Sequence, residues 1–386
     1  MTQAFLEASQ WTSPHGVVAA TAGESPDAQL DFFRVGHPVP TDASVIAGRR
    51  ALDFATSVTR DRLLLVLLSG GASAALAVPA DGLTLDDKIA ATQALLRAGV
   101  PIDVMNCVRK HLSAIKGGRL AAATPGTVLT LAISDVVGPV ADDPTVIGSG
   151  PTVADPTTFG DALRIVQQPG VAESFPVSAR QVLVEGVAGA RRDTPPPGDR
   201  SLARSTTTVI GSRLHAMKAA AATAQDLGYQ VEIVHEPVVG EASLVGASFL
   251  ERVRRLASGR RGSVCVVSSG ETTVKVRGPG RGGRNQELAL ACVEGLAGMI
   301  GEVGDELVLA SIGTDGVDGP TDAAGAIVDG TTLARSRERG MAPPALYLEH
   351  NDSYAFFDTL GDLVRTGPTD TNVGDLQVVL VGHAQR

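Results

Sequence analysis

"RLLLVLLSGGASAAL", residues Arg62 to Leu76, carries the reading of the fold. Leu63 to Leu68 is an unbroken apolar run rather than an alternating one, which predicts a strand covered on both faces, as at the centre of a parallel sheet. Ser69-Gly70-Gly71 then ends the run. The same theme recurs along the chain. "TVLTLAISDVVG" (127–138) closes a second run at Ser134-Asp135. "STTTVIGSRLHAMKAAAATAQDLGYQVEIV" (205–234) reads as a strand, a helix from Arg213 to Leu227 and another strand, a βαβ unit. "SVCVVSSGETTVKV" (263–276) and "ELVLASIGTDGVDG" (306–319) add two strands ending in glycine loops, and the Ala-rich Gln286 to Gly298 is helical. Alternating β and α elements predict an α/β architecture in two lobes, 1–190 and 206–386, with the triple-proline segment Gly189 to Ser205 as linker.

The 386 residues are enough for two domains. Hydrophobic content of 44% with 3% aromatics predicts a core of Ala, Val, Leu and Ile. A net charge of −9 argues against general nucleic-acid binding. Cys107, Cys265 and Cys292 show no metal spacing and fit a reducing cytosol. No apolar run reaches membrane-span length, and Met1 to Gln10 lacks the regions of a signal peptide. The expectation is a cytoplasmic protein, monomeric or homodimeric, with neither membrane nor nucleic acid as partner.

Within this acidic chain two stretches are cationic. Val104 to Ser134 contains no Asp or Glu, yet Arg109, Lys110, Lys116 and Arg119 fall within eleven positions. "TTVKVRGPGRGGRNQE" (272–287) holds Lys275, Arg277, Arg281 and Arg284 before Glu287. The first reads as a helix capped by Asn106 and stopped by Gly117-Gly118, with Val108, Leu112 and Ile115 in one stripe and Arg109, Ser113 and Lys116 in another. It is either a solvated amphipathic face or the edge of an anion site, and the missing acids favour the second. Arg284 either meets an anion or pairs with Glu287 one turn on.

Ligands of open α/β sheets sit beyond the carboxyl ends of strands, where free N–H groups and glycine backbone admit anions. That makes candidates of Ser69, Gly70, Gly71 and Ser73 in "SGGAS", Asp135 in "SDVVG", and Gly270 and Glu271 in "SGETT". Any of these glycines could equally serve a turn. In "GTDGVDGPTD" the carboxylates of Asp315, Asp318 and Asp322 suit a hard divalent cation or, alternatively, turns beside glycine. An EF-hand is excluded, because the twelfth position from Asp315 is Ala326. The chain has neither a phosphate-binding G-x-x-x-x-G-K-[ST] loop nor a G-x-G-x-x-G dinucleotide fingerprint placed after a strand.

Taken in order, "SGGASAAL", "MNCVRKHLSAIKGGRLA", "SDVVG", "GSGPTVADPTT", "SSGETTVKVRGPGRGGRNQELALA", "GTDGVDGPTDAAGAIVD" and "TGPTDTNVGDL" resemble the class II glycerate kinases, some of whose relatives are labelled hydroxypyruvate reductase. The resemblance runs from about Gly16 to the C-terminus and thins at 158–205 and 243–262. It implies a larger N-terminal doubly wound, Rossmann-like α/β domain, a smaller C-terminal α/β domain and an active site in the cleft between them. It implies ATP-dependent phosphorylation of D-glycerate to 2-phosphoglycerate, with ATP and Mg²⁺ as cofactors. The family's active-site arginine in its Gly-Gly-Arg-Asn-Gln-Glu motif maps onto Arg284, expected to steady the transferring phosphoryl group. With that assignment, Lys116 supplies positive charge and Asp135 is a possible base. Ser69, Gly70, Gly71, Ser73, Asn106, Arg109, Lys110, Gly270, Glu271, Arg281 and Asn285 bind substrate or nucleotide, and Asp315 with Asp318 holds Mg²⁺. The alternatives are NAD(P)H-dependent reduction of hydroxypyruvate and a non-catalytic small-anion-binding relative.

The resemblance also implies, ahead of the region matching Gly16, a helical segment, a first strand and a Gly-Lys-Ala loop with an active-site lysine. This chain opens "MTQAFLEASQW", which reads as the body of that helix, with Phe5 and Leu6 for the core and Ser9 to Pro14 leading to the strand "GVVAATAG"; its first lysine is Lys88. The expectation is an N-terminally incomplete chain, less stable and poorly active, or else a divergent member that uses Lys110 or Lys116.

Overall fold

A computed structural model of the chain describes residues 1–9, 11, 14–260 and 262–382. Gln10, Thr12 and Ser13, in the segment expected to lead out of the first helix, lie outside the described residues. The chain forms two compact units, Met1–Ile210 and Gly211–Arg386.

In the first unit β1 (Gly16–Ala20) pairs in parallel with β2 (Leu30–Arg34). The apolar run is β3 (Leu63–Leu68), parallel to β4 (Thr127–Ile133), which neighbours β5 (Ser205–Gly211). These form two separate sheets. An apolar-lined cavity of about 730 Å³ touches Val17 to Ala20 on β1 and Leu63 to Leu68 on β3. The sequence placed β5 in a βαβ unit with the strand at 230–233, and the structure corrects this. Val128 donates to the Arg204 carbonyl at 2.9 Å and Ser205 Oγ donates to the Thr152 carbonyl at 2.8 Å, so β5 joins the sheet of the first unit. The helix that follows, Arg213–Asp226, lies where the periodicity puts it. The segment expected as linker also packs into the first unit. Thr194 is buried, and Asp193 accepts a hydrogen bond from buried His111 at 2.9 Å.

The cationic helix runs from Ile102 to His111, not from Asn106 to Gly117. Asn106 is therefore a buried mid-helix residue rather than an N-cap. The helix stops early because Ser113 and Ala114 turn away to the Val78 carbonyl, at 3.0 Å through Ser113 Oγ and 3.2 Å through the Ala114 amide. A serine that finds an acceptor outside the helix competes with helical bonding. As a result Val108 and Leu112 sit in one apolar cluster while Ile115 sits in another with Val128 and Leu120.

The second unit holds a mixed sheet. β8 (Val264–Thr273) pairs in parallel with β6 (Gln230–Ile233) and, further along, with β7 (Val238–Glu241). β12 (Asp375–Gly382) runs antiparallel between β8 and β9 (Glu306–Gly313), and β10 (Gly325–Asp329) and β11 (Leu363–Val364) complete the order. Across its face the helices Ala242–Ala257 and Arg284–Gly298 pack so closely that a Cβ on Gly246 would stand 2.9 Å from Ala291. Small residues at that crossing bring the backbones together, which is how a core poor in aromatics reaches full density. Phe356 and Phe357 are its fully buried exceptions, each contributing about 1.5–3 kcal/mol of burial.

Candidate functional site

In the first unit the residues after β3 and those around the cationic helix meet. Ser69 and Gly70 are exposed, and Gly71 adopts a left-handed φ of 79° to open a short helix, Ala72–Ala75, that carries half-buried Ser73. Lys116 reaches this loop from the turn beyond the cationic helix. Its Nζ lies 2.9 Å from Ser73 Oγ, 2.7 Å from the Ser73 carbonyl and 3.4 Å from the Gly148 carbonyl. Ser73 Oγ is 2.9 Å from Ser149 Oγ, which donates to Asn106 Oδ1 at 3.0 Å, and Arg109 donates to the same oxygen at 3.5 Å.

Lys88, Arg109 and Lys116 have no carboxylate in ion-pair reach among the described residues and none that acts on their charge. Arg119 forms no ion pair among the described residues either, but Asp193 and Asp155 support its charge. Lys88 is buried on the helix Leu85–Arg97, and its Nζ donates to the Leu112 carbonyl at 3.4 Å. Burial, then the neighbouring Arg109, pulls the Lys88 ammonium down to about 7. Burial, then Arg109 and Lys88, pulls Lys116 well below the ordinary lysine range, and burial also disfavours the charged form of Arg109. Such a cluster is costly until an anion enters it. Lys110 differs: it is buried and ion-paired with Asp155 at 3.3 Å, so its charge is already matched. Asp135 stands half-buried just past β4, beside Ser134, whose Oγ accepts the Val136 amide at 3.2 Å.

In the second unit Arg284 is the first residue of the helix Arg284–Gly298. It pairs with Glu271 at 2.8 Å and with Asp375, not with Glu287. Burial works against its charge, but Asp375 and then Glu271 outweigh that and hold the guanidinium above its ordinary range. Glu287 is buried instead, and its Oε2 accepts from Asn351 at 3.0 Å. Gly270 and Glu271 lie within β8, not in a loop after it. A Cβ on Gly270 would stand 2.0 Å from the Val238 carbonyl oxygen, so this glycine serves the close pairing with β7.

Asp318 carries out the task that Gly283, the N-cap, lacks a side chain to do. Its Oδ1 accepts the Asn285 amide at 3.0 Å and its Oδ2 accepts the Gln286 amide at 2.8 Å, the second and third positions of the helix. Burial raises its proton affinity above the ordinary carboxylate range, and those two amides oppose this only in part. Asn285 is buried too, accepting from Ser311 Oγ at 2.7 Å. Both residues therefore position the start of the helix. Arg281 stacks over Tyr354 at 4.3 Å and donates to the Pro320 carbonyl at 3.0 Å. Asp322 joins Tyr354 and Arg365 at the surface. Asp315 is half-buried, and its Oδ1 accepts the Val317 amide at 3.0 Å.

Three contributors were missed from sequence: Lys88, Ser149 and Asp375. The last two stand inside the motifs "GSGPTVADPTT" and "TGPTDTNVGDL", which marked their loops but not the residues.

Residues 1–184 match the family model described as a domain of unknown function (DUF4147), and residues 264–375 match the MOFRL family. The chain is 38% identical over 357 residues to a glycerate 2-kinase of Pyrococcus horikoshii, covering 92% of this chain and 78% of that protein. It is 38% identical over 372 residues to a D-glycerate 2-kinase of Thermotoga maritima, covering 95% and 84%. A protein of Agrobacterium vitis named a putative hydroxypyruvate reductase is 40% identical over 377 residues, covering 95% and 81%. The crystal structure of a glycerate kinase from Thermotoga maritima superposes with a TM-score of 0.83 at 35% identity, covering 95% of this chain and 84% of that one.

Proposed function

This chain belongs to the glycerate 2-kinase family, and from that premise we propose that it is a cytoplasmic enzyme of carbohydrate metabolism that transfers the γ-phosphoryl group of ATP to the 2-hydroxyl of D-glycerate. The observation that carries the reading is the cluster of buried Lys88, half-buried Arg109 and buried Lys116, with no carboxylate in ion-pair reach among the described residues, in a chain of net charge −9. Phosphoryl transfer depends on positioning and charge neutralisation more than on covalent chemistry by the protein. A small carboxylate or a phosphate entering this cluster would be held by charge-assisted hydrogen bonds, first of all from Arg109, with Ser69, Gly70 and Gly71 as neighbouring backbone and hydroxyl donors.

Arg284 is assigned to the transferring phosphoryl group. It is one-third exposed, and Asp375 and Glu271 fix its planar fork on one side. Mg²⁺ would supply charge neutralisation on the phosphates. Among the described residues no group of three or more His, Cys, Asp or Glu side chains forms a metal cage. The oxygen chemistry of Asp315 fits a magnesium ion held by one carboxylate and phosphate oxygens. With both Asp318 oxygens accepting helix amides, Asp318 is assigned to positioning the loop.

The hydroxypyruvate reductase name of the Agrobacterium vitis relative keeps a second reading in play, against which stands the missing dinucleotide fingerprint. The purified chain is assayed for glycerate-dependent ATP consumption and for hydroxypyruvate-dependent NADH loss. Turnover of ATP to 2-phosphoglycerate is expected. NADH oxidation without ATP turnover would replace the kinase reading with the reductase one.

A further inference from the structure

The side chains linking Lys116 to Asn106 form a proton-counted chain. Asn106 Oδ1 can only accept, so Ser149 must donate to it. The three links are Lys116 to Ser73, Ser73 to Ser149, and Ser149 to Asn106. If Lys116 is an ammonium, two of its N–H groups go to the Ser73 and Gly148 carbonyls and the third to Ser73 Oγ. Ser73 then donates to Ser149, and all three links hold a proton. If Lys116 is an amine, the two carbonyls take both N–H groups and the lone pair faces Ser73. The Ser73 proton then turns to nitrogen, the Ser149 proton stays on Asn106, and Ser73 Oγ is left with an accepting lone pair. Ser73 is the half-buried member, whereas Lys116, Ser149 and Asn106 are buried. An outside hydroxyl can reach the chain there.

We propose that Ser73 and Lys116 form a proton-relay pair in which Ser73 Oγ accepts the proton of the substrate hydroxyl and passes its own to Lys116 Nζ. The identity of that hydroxyl as the 2-hydroxyl of glycerate rests on the kinase reading; the pair itself does not. The step balances: the substrate O–H bond breaks, a new O–H forms on Ser73, the old Ser73 O–H breaks and an N–H forms on Lys116. The substrate oxygen keeps its electron pair for attack on phosphorus. The charged groups facing Lys116 are Arg109 and Lys88, both cations, while the Lys110–Asp155 pair stands against neighbouring Gly117. These cations favour the amine, the form the relay needs at rest. The relay adds a base that the sequence reading gave to Asp135.

Two measurements test the pair. In the first, kcat/KM against pH is compared for the wild type and Ser73→Ala, with melting temperature as a control. The wild type is expected to gain rate as pH rises through the Lys116 titration. Ser73→Ala is expected to lose about 10²–10⁴-fold and that pH dependence together, with its melting temperature kept. Ser73→Ala with wild-type rate and wild-type profile would overturn the relay. The second needs no turnover. Phenylmethanesulfonyl fluoride is added and the site of modification read by mass spectrometry. Ser73 Oγ displaces fluoride from sulfur and its proton passes to Lys116, so a Ser73 adduct is expected that forms faster at higher pH and disappears in Lys116→Met. Should Lys116→Met fail to fold, Lys116→Arg serves, since a guanidinium takes no proton in this range. No Ser73 adduct, or the same adduct without Lys116, overturns the pair. A Lys116-dependent adduct in a chain that leaves glycerate untouched keeps the pair and sinks the kinase reading instead.

Discussion

Arg284 and Asp375 meet at two points: Nη2 donates to Oδ1 at 2.9 Å, and Nε lies 2.8 Å from Oδ2. Asp375 is buried with 1% of its surface exposed, so removing Arg284 leaves a carboxylate without its counterion. Arg284→Ala should therefore cost on the order of 10²-fold in turnover as a lost preorganised donor, and about 1–3 kcal/mol in stability as an unpaired buried group. Adding Asp375→Asn to Arg284→Ala should recover part of the melting temperature and none of the activity. Additive losses of stability in the double variant would show that the two residues do not act as a pair.

The same carboxyl predicts an acid limb. Burial raises Asp375 to about 6, against 3.8 ordinarily, despite the opposing pull of Arg284. A raised acid binds its proton more tightly when folded, so as pH falls from 6 towards 4 this group adds stability to the folded state. Neutral Asp375 holds Arg284 less well, so turnover should fall over the same window while the melting temperature does not. Asp375→Asn should lack this limb, and an unchanged limb in that variant would assign it elsewhere.

Gly283 tests the tertiary cap. A Cβ there would stand 2.3 Å from the Asp318 carboxyl carbon and 2.4 Å from its carbonyl carbon, so Gly283→Ala must push Asp318 off the helix amides. Loss of an N-cap costs about 0.5–2 kcal/mol, and the clash adds to it. Asp318→Ala should show the capping loss alone. Thermal unfolding of both variants checks the order, which reverses if the Asp318 loop yields without strain.

What could be read from sequence followed the range of the interactions. β3 and the helix ending at Gly298 were legible because an unbroken apolar run and an Ala-rich run are local signals. Arg284 was legible through its motif, but its partners Glu271 and Asp375 stand 13 and 91 positions away, and the helical pattern offered only Glu287 one turn on. The early end of the cationic helix depends on Val78, 35 positions before Ser113. Lys116 and Ser73 are 43 apart. β5 was assigned to the wrong sheet for the same reason: strand periodicity says nothing about which edge a strand joins.

His111 should give a pH signature to the first unit. It is fully buried, and although burial opposes its charge, the hydrogen bond to Asp193 raises it to about 9. A histidine with a raised folded pKa contributes stability that is complete below its unfolded value of 6.5 and lost as pH rises through 9. The wild-type melting temperature should fall between those limits relative to His111→Gln, whose profile should be flatter there. Parallel profiles would mean that the imidazole stays neutral, with a single N–H to donate to either the Cys107 carbonyl or the Asp193 carboxylate.

Lys88 offers the clearest separation of stability from function. It is buried with no carboxylate partner among the described residues, and burial with Arg109 nearby lowers it to about 7. A lysine depressed on folding costs stability wherever the unfolded chain carries the proton and the folded one resists it. That cost is full below pH 7 and fades as pH approaches 10.5. Methionine fills a similar volume with no charge to desolvate, and replacing an uncompensated buried charge by an apolar side chain is stabilising. Lys88→Met should therefore raise the melting temperature, most at low pH and least at high pH. If the cluster exists to receive an anion, the same change should raise the KM for the anionic substrate several-fold and leave kcat less affected, since Lys88 supplies field and not contact with the reacting atoms. A rise in melting temperature with KM untouched would remove Lys88 from the anion site, and a fall in melting temperature would show that its contact with the Leu112 carbonyl outweighs the cost of its charge.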